Sequence, residues 1–221
     1  MRFDPSRRST LTRHDLGRFR SDSLFDRVAR VACEAACLPR KELFEAWEVA
    51  RRTRRRLRGG RVVDLACGHA LVAQLMMLLD DTSPTALAVD PALPPSASQI
   101  ASAIADAWPR VAGRVELRSG RIAEVALSSS DVVVSCHACG ALTDVVLARA
   151  VEARARVAVL PCCHDEATCD VGALCGWVDA ALAIDVTRVA RMRAAGYRVT
   201  TQSIPGEITP KNRLLIAAPE R

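Results

Sequence analysis

The sequence predicts an α/β fold: a doubly wound, mostly parallel seven-stranded sheet with a helical N-terminal extension. Three observations carry this. From Gly60 onward, seven short apolar runs alternate with segments of helical period, the pattern of a parallel sheet covered on both faces. The chain has 221 residues, enough for one full domain and a small extension. Half the residues are hydrophobic and a quarter are charged, which supports a core and excludes wholesale disorder. The boundary is expected near Gly60, with a basic tail and helical extension over 1–59 and the sheet domain over 60–221.

The elements follow in order. Residues 1–20 are polar and basic, and are expected to be poorly ordered. Ser23 can cap a helix with Asp26 at its third position, and Leu24, Phe25, Val28, Ala29, Val31, Ala32 and Ala35 then recur at helical spacing. Pro39 ends that helix and suits the start of the next, whose apolar stripe is Leu43, Phe44, Trp47 and Ala50 and which Gly59-Gly60 terminates. The apolar runs are 61–66, 86–90, 115–118, 131–135, 156–160, 197–203 and 213–217. Helices are expected near 70–79, 96–108, 140–153 and 179–195. The last two runs have only Pro205-Gly206 and a polar stretch between them, and read as an antiparallel hairpin at the sheet edge. No uncharged apolar run reaches about 18 residues, so no spanning helix is expected. The first residues lack an apolar signal core, so the expected compartment is the cytoplasm. Nine cysteines there point to thiol, metal or catalytic use rather than disulfides.

In open α/β sheets ligands bind outside the carboxyl ends of the strands. After the first run stands Asp64-Leu65-Ala66-Cys67-Gly68-His69-Ala70. Its small residues let a ligand approach the backbone, and a carboxylate at the first strand tip suits a cationic ligand end, such as the amino group of a methionyl moiety. A dinucleotide site wants three glycines here and its acid only after the second strand. After the second run, Asp90-Pro91 offers a carboxylate for two ribose hydroxyls. After the third, Gly120-Arg121-Ile122 offers an apolar face for adenine. Three consecutive tips thus supply what S-adenosylmethionine needs.

With these residues in place, the chain over about 60–218 resembles the class I (Rossmann-like) S-adenosylmethionine-dependent methyltransferases. Residues 62–70 look like motif I and Asp90 like the acid of motif II; Ala66 departs from the usual first glycine. The resemblance implies S-adenosylmethionine as cofactor, held by Asp64, Ala66, Cys67, Gly68, His69, Asp90, Pro91, Gly120, Arg121, Ile122, Ser135 and Cys136.

After the fourth run comes Ser135-Cys136-His137-Ala138-Cys139-Gly140, and after the fifth Pro161-Cys162-Cys163-His164. Residues 136–144 and 161–164 are similar to the methyltransferase domain of the glutathione S-transferase C-terminal domain-containing protein. Pro-Cys-Cys-His also occurs in a eukaryotic tRNA 2′-O-methyltransferase family, which carries a zinc finger and further domains in addition. The constellation has several readings. His137 or His164 accepts a proton from the methyl acceptor, with Cys162 and Cys163 packing the pocket or tuning the imidazoles. Alternatively Cys136, Cys139, Cys162 and His164 hold a soft metal, or a cysteine is a covalent nucleophile. In the plainest reading, small thiols and bonded histidines only fill tight turns. The proton-acceptor reading leads, with no metal required.

Arg51, Arg52, Arg54, Arg55, Arg56, Arg58 and Arg61 fall within eleven residues with no acid among them, and arginine forks suit phosphates. With Asn212 in the last loop, Arg51, Arg54 and Arg55 are the expected substrate contacts, and RNA, tRNA first, is the expected partner. A small-molecule or protein acceptor is the second expectation, and a non-catalytic zinc or thiol module the third. No Asp/Asn-Pro-Pro-Tyr follows the fourth run, which argues against exocyclic amino methylation. Only Lys41 and Lys211 are lysines, so a Lys-Asp-Lys-Glu ribose site cannot be built.

Overall fold

The computed structural model describes residues 4–220. Two pairs of helices cover the sheet's first face. Helices α1 (Leu24–Ala35) and α2 (Arg40–Arg54) precede the sheet, and α2 packs on α3 (Leu71–Leu79) while α1 packs on α4 (Pro95–Ala107). The Ser23 hydroxyl accepts from the Asp26 amide, the expected cap. Pro39 is the N-cap of α2, which stops at Arg54, ahead of the two glycines.

The strands are β1 (Val62–Leu65), β2 (Ala86–Asp90), β3 (Val115–Ser119), β4 (Val132–Ser135), β5 (Arg156–Val159), β6 (Tyr197–Ser203) and β7 (Arg213–Pro219). They form one sheet in the order β3-β2-β1-β4-β5-β7-β6. Strands β1 to β5 pair in parallel, and β7 is antiparallel to both β5 and β6. The expected hairpin is present, with β6 at the edge.

Strand residues alternate between two cores, as a period of two requires. Val62, Ala86, Ala88, Val132 and Val134 face α1 to α4. Val63, Leu65, Leu87, Val89, Val133 and Val157 face α5 (Leu142–Glu152) and α6 (Ala180–Ala194). Tyr197 closes the second core, its hydroxyl donating to the Ala150 and Ala155 carbonyls at 2.9 and 3.0 Å.

The disorder expected for residues 1–20 does not hold over the described part. Leu11 is fully buried and its amide donates to the Leu38 carbonyl at 2.8 Å. Phe19 is buried, and Asp15 pairs with Arg40 at 3.2 Å. Leu11, Leu16 and Phe19 bury a thin apolar edge that the polar average of the segment conceals. Residues 1–3 lie outside the described residues. No helix among the described residues is long and apolar enough to cross a membrane.

Candidate active site

The strand order reverses between β1 and β4, which opens a crevice at their carboxyl ends. The motif I loop bends sharply there. Ala66, Gly68 and Ala70 all take positive φ, at 54°, 52° and 57°. Two alanines thus hold a left-handed conformation that normally favours glycine, at roughly 1–2 kcal/mol each. Nothing lies within 4 Å of where a Cβ on Gly68 would stand, so the loop fronts open space.

Asp90 ties three strand tips together. Its carboxylate accepts from the Gly68 amide at 3.0 Å and the Ala92 amide at 3.0 Å, and its carbonyl accepts from the Gly120 amide at 3.2 Å. Each carboxylate oxygen keeps a free lone pair for a diol. Asp64 is buried under α3, where Oδ2 accepts from the Ala73 amide at 3.1 Å and Oδ1 has no partner. Burial pushes its pKa up to about 7, more than the Ala73 amide restores. The buried Ser135 Oγ is also unpartnered at the end of β4. An orphaned acid, an orphaned hydroxyl and an acid with spare lone pairs around an open turn fit a ligand with an amino end and a ribose. Asp64, Gly68, Asp90 and Ser135 would hold it. Ile122 is buried against Val89 and Val125 in the second core, and His69 bonds Ser96 at 2.6 Å at the head of α4.

A cavity of about 710 Å³ lies at the ends of β4 and β5. His137, Cys139, Cys162 and Cys163 form its floor, Lys41 and Glu42 of α2 one wall, and Ile208 to Lys211 another, with Ser6 and Arg8 at its rim. His137 Nε2 lies 3.1 Å from Glu42 Oε2 and 3.6 Å from Glu45 Oε2. The Cys136 sulfur beside it, followed by bonds to Cys162 and Glu42, drives its pKa far up against the cost of burial. Burial opposes ionisation of Glu42, but the bond to His137 wins and holds the carboxyl below its usual range. The sequence reading missed Glu42 and Glu45. Their signal was two acids three apart on α2, within its apolar stripe.

Several expected contacts are corrected. His164 does not reach the cavity: its side chain is 2% exposed and bonds Asp185 of α6 at 2.9 Å. Asp185 also takes Arg213 at 2.7 Å, and Arg188 binds Asp144 through two nitrogens and the Gly140 carbonyl at 3.0 Å. With Cys136 buried in the first core and His164 turned away, the alternative metal set of Cys136, Cys139, Cys162 and His164 does not assemble. Cys139, Cys162 and Cys163 come together instead. Arg54 is 3% exposed and bonds the Met76 carbonyl, Ser83 and Asp80, so it is not available to phosphate. Arg51 and Arg52 both pair with Glu48, and Arg61 with Asp131. Arg55 stays exposed. The Asn212 amide nitrogen donates to the Ile204 carbonyl across the hairpin loop, while its neighbours Thr209 to Lys211 border the cavity.

A family model described as a methyltransferase domain matches residues 42–170, more than half of the chain. No curated protein sequence matches. Among solved structures, the tRNA m1A22 methyltransferase TrmK of B. subtilis superposes with a TM-score of 0.51 at 15% identity, over 80% of this chain and 65% of that one. The mitomycin 7-O-methyltransferase MmcR gives 0.51 at 18% identity, over 93% of this chain and 60% of that one. A ribosomal protein L11 methylase of Lactobacillus delbrueckii subsp. bulgaricus gives 0.50 at 10% identity, over 80% and 77%. The chain thus spans less than two thirds of the first two, and at these identities they show the shared fold. The family match rests on the chain's own sequence, and by it the protein belongs to the methyltransferase domain family and takes its methyl group from S-adenosylmethionine.

Proposed function

We propose that the methyl acceptor is a small molecule carrying an anionic group, bound in the cavity above β4 and β5. The observation that carries this is the size of the cavity together with the side chains that line it. At about 710 Å³ it falls within the usual range for small-ligand sites, about 300–1,000 Å³. The docked N-terminal segment and the 208–211 loop help to line it, and Arg8 and Lys211 bring positive charge to it, while Lys41 is paired with Glu45 at 3.2 Å.

S-adenosylmethionine supplies an electrophilic methyl group on a sulfonium. Asp90 and Gly68 present the hydrogen-bonding edge for its ribose, and Asp64 the charge for its amino end. His137, its pKa driven up and its ring paired with Glu42 and Glu45, faces the cavity as an imidazolium, placed to bind the acceptor's anionic group and to donate a proton to it rather than to take one. Holding the acceptor in line in the cavity supplies most of the rate. His137→Ala is expected to leave cofactor affinity unchanged and to lower turnover by about 10²–10⁴-fold. Unaltered turnover would remove His137 from the chemistry.

RNA is the second reading. TrmK acts on tRNA and MmcR on mitomycin, so the fold itself favours neither. What supports RNA is the residual basic surface of Arg55, Arg56, Arg154, Arg156 and Arg198, and the similarity of Pro161 to His164 to the tRNA enzymes. Transfer of labelled methyl into cell extract separates the readings. Label in the small-molecule fraction supports the proposal; label confined to RNA replaces it.

A further inference from the structure

We propose that Cys139, Cys162 and Cys163 form a binding site for one thiophilic divalent cation of the zinc class, with a fourth coordination position open to the cavity. The three sulfurs come from two loops and meet at one point. Cys139 Sγ lies 3.2 Å from Cys162 Sγ and 3.4 Å from Cys163 Sγ, and the last two are 3.7 Å apart. Thiolates bound to zinc at about 2.3 Å with tetrahedral angles stand about 3.8 Å from one another. The edges of the observed triangle need to open by about 0.1 to 0.6 Å to accept the ion. A disulfide would need two of these sulfurs to close to about 2.05 Å, a larger displacement, and would strand the third.

Packing does not account for the cluster. Structural cysteines are usually buried, as Cys33 and Cys136 are here, whereas Cys139 and Cys163 are exposed and Cys162 is half-buried on the cavity floor. Thiols are weak hydrogen-bond partners, so three of them in mutual contact at a wet surface gain little without an ion. Three soft sulfur ligands select zinc-like ions over magnesium or calcium.

The supports are those a metal site requires. Arg188 fixes the first loop through the Gly140 carbonyl and Asp144, and His164 with Asp185 fixes the second, so the sulfurs are positioned before any ion arrives. His137 and Glu42, 3.1 Å apart, line the same cavity beside the cluster. Three protein ligands with an open fourth position is the arrangement of a site that takes a further ligand from its pocket. The site stands on its own geometry and does not depend on the identity of the acceptor.

The test uses the full chain, stripped of metal and kept reduced, titrated with cobalt(II) alone and then zinc(II). The expected result is one equivalent of cobalt with an intense near-ultraviolet thiolate charge-transfer band, displaced by zinc. Cys139→Ser and Cys163→Ser should each abolish or strongly diminish that band, while Cys175→Ser, at an exposed cysteine elsewhere, leaves it. A second measurement does not depend on how the variants fold: bound zinc should protect Cys139, Cys162 and Cys163 of the unaltered chain from alkylation, read by mass spectrometry, and leave Cys175 reactive. Folded protein that gives no thiolate band, or zinc that protects none of the three, overturns the proposal.

Discussion

Asp64 shows at the scale of one side chain how a candidate cofactor site stores a cost that a cationic ligand end would relieve. It sits on the core side of β1, with one oxygen bonded to the Ala73 amide and the other orphaned. Burial raises its pKa to about 7, well above the ordinary carboxylate range. A raised pKa favours the protonated folded state. That stability is fully present below the unfolded pKa and is lost as pH rises through about 7. Asp64→Asn keeps an acceptor for Ala73 and cannot ionise. The ligand-free variant is expected to gain on the unaltered protein as pH rises from about 6 to about 8, by a few kcal/mol at most. Thermal melts across that range measure it, and a difference that does not change with pH would mean the carboxyl is already ionised at the acid end. Asp90 is half-exposed, and both of its carboxylate oxygens accept backbone amides. Asp90→Ala is expected to weaken S-adenosylmethionine by about 1.5–3 kcal/mol, the range for hydrogen bonds to a charged group. Calorimetry on the folded variant decides, and unchanged affinity would exclude Asp90 from the cofactor site.

At the scale of elements, α6 does more than cover the sheet. Arg188 is 2% exposed and reaches Asp144 at the start of α5, Asp185 on its own helix and the Gly140 carbonyl. Asp185 in turn holds His164 and Arg213, and these bonds keep its carboxyl below the usual range although burial opposes them. Both cysteine-bearing loops are therefore pinned from behind. Arg188→Met removes one partner of a buried ion pair, and is expected to cost about 3–5 kcal/mol in chemical denaturation. His164→Ala should lose stability without the direct turnover defect of His137→Ala. If the two histidine variants have equal catalytic defects at full folding, their separation into pocket and support is wrong. The sequence carried the strands to within about two residues, because buried parallel strands are continuous apolar runs bounded by turns. It did not carry this division of labour. Two histidines at successive strand tips look alike in one dimension, and only the direction of the backbone after Cys163 sends His164 behind the sheet. The 4–20 segment was missed for a related reason. Its buried positions Leu11, Asp15 and Phe19 recur every four residues, but the middle one is an acid, so no apolar stripe marks the segment.

Over the whole molecule, the basic segment and the chemistry occupy opposite ends of the sheet. Arg55 to Arg58 precede β1, and with Arg154, Arg156 and Arg198 they gather at the amino ends of the parallel strands. The cofactor turn and the cavity lie at the carboxyl ends, separated from them by the length of strands of four or five residues, about 15 Å. The arginine run in the sequence therefore divides by structure. Arg51, Arg52, Arg54 and Arg61 are engaged in ion pairs within the fold, and Arg55, Arg56 and Arg58 remain exposed. An acceptor held in the cavity does not touch them. The triple variant Arg55→Gln, Arg56→Gln, Arg198→Gln changes only exposed positions, so its stability should stay within about 0.5 kcal/mol. Its cofactor affinity and its turnover on the acceptor should match the unaltered protein at every salt concentration. If the acceptor is RNA that wraps from one end of the sheet to the other, the same variant will behave otherwise. Its binding will weaken, and the log–log salt slope will fall by about 0.7–0.9 for each phosphate that is no longer neutralised. Binding of bulk tRNA at several salt concentrations, beside turnover, therefore reads directly whether this enzyme uses one end of its sheet or both.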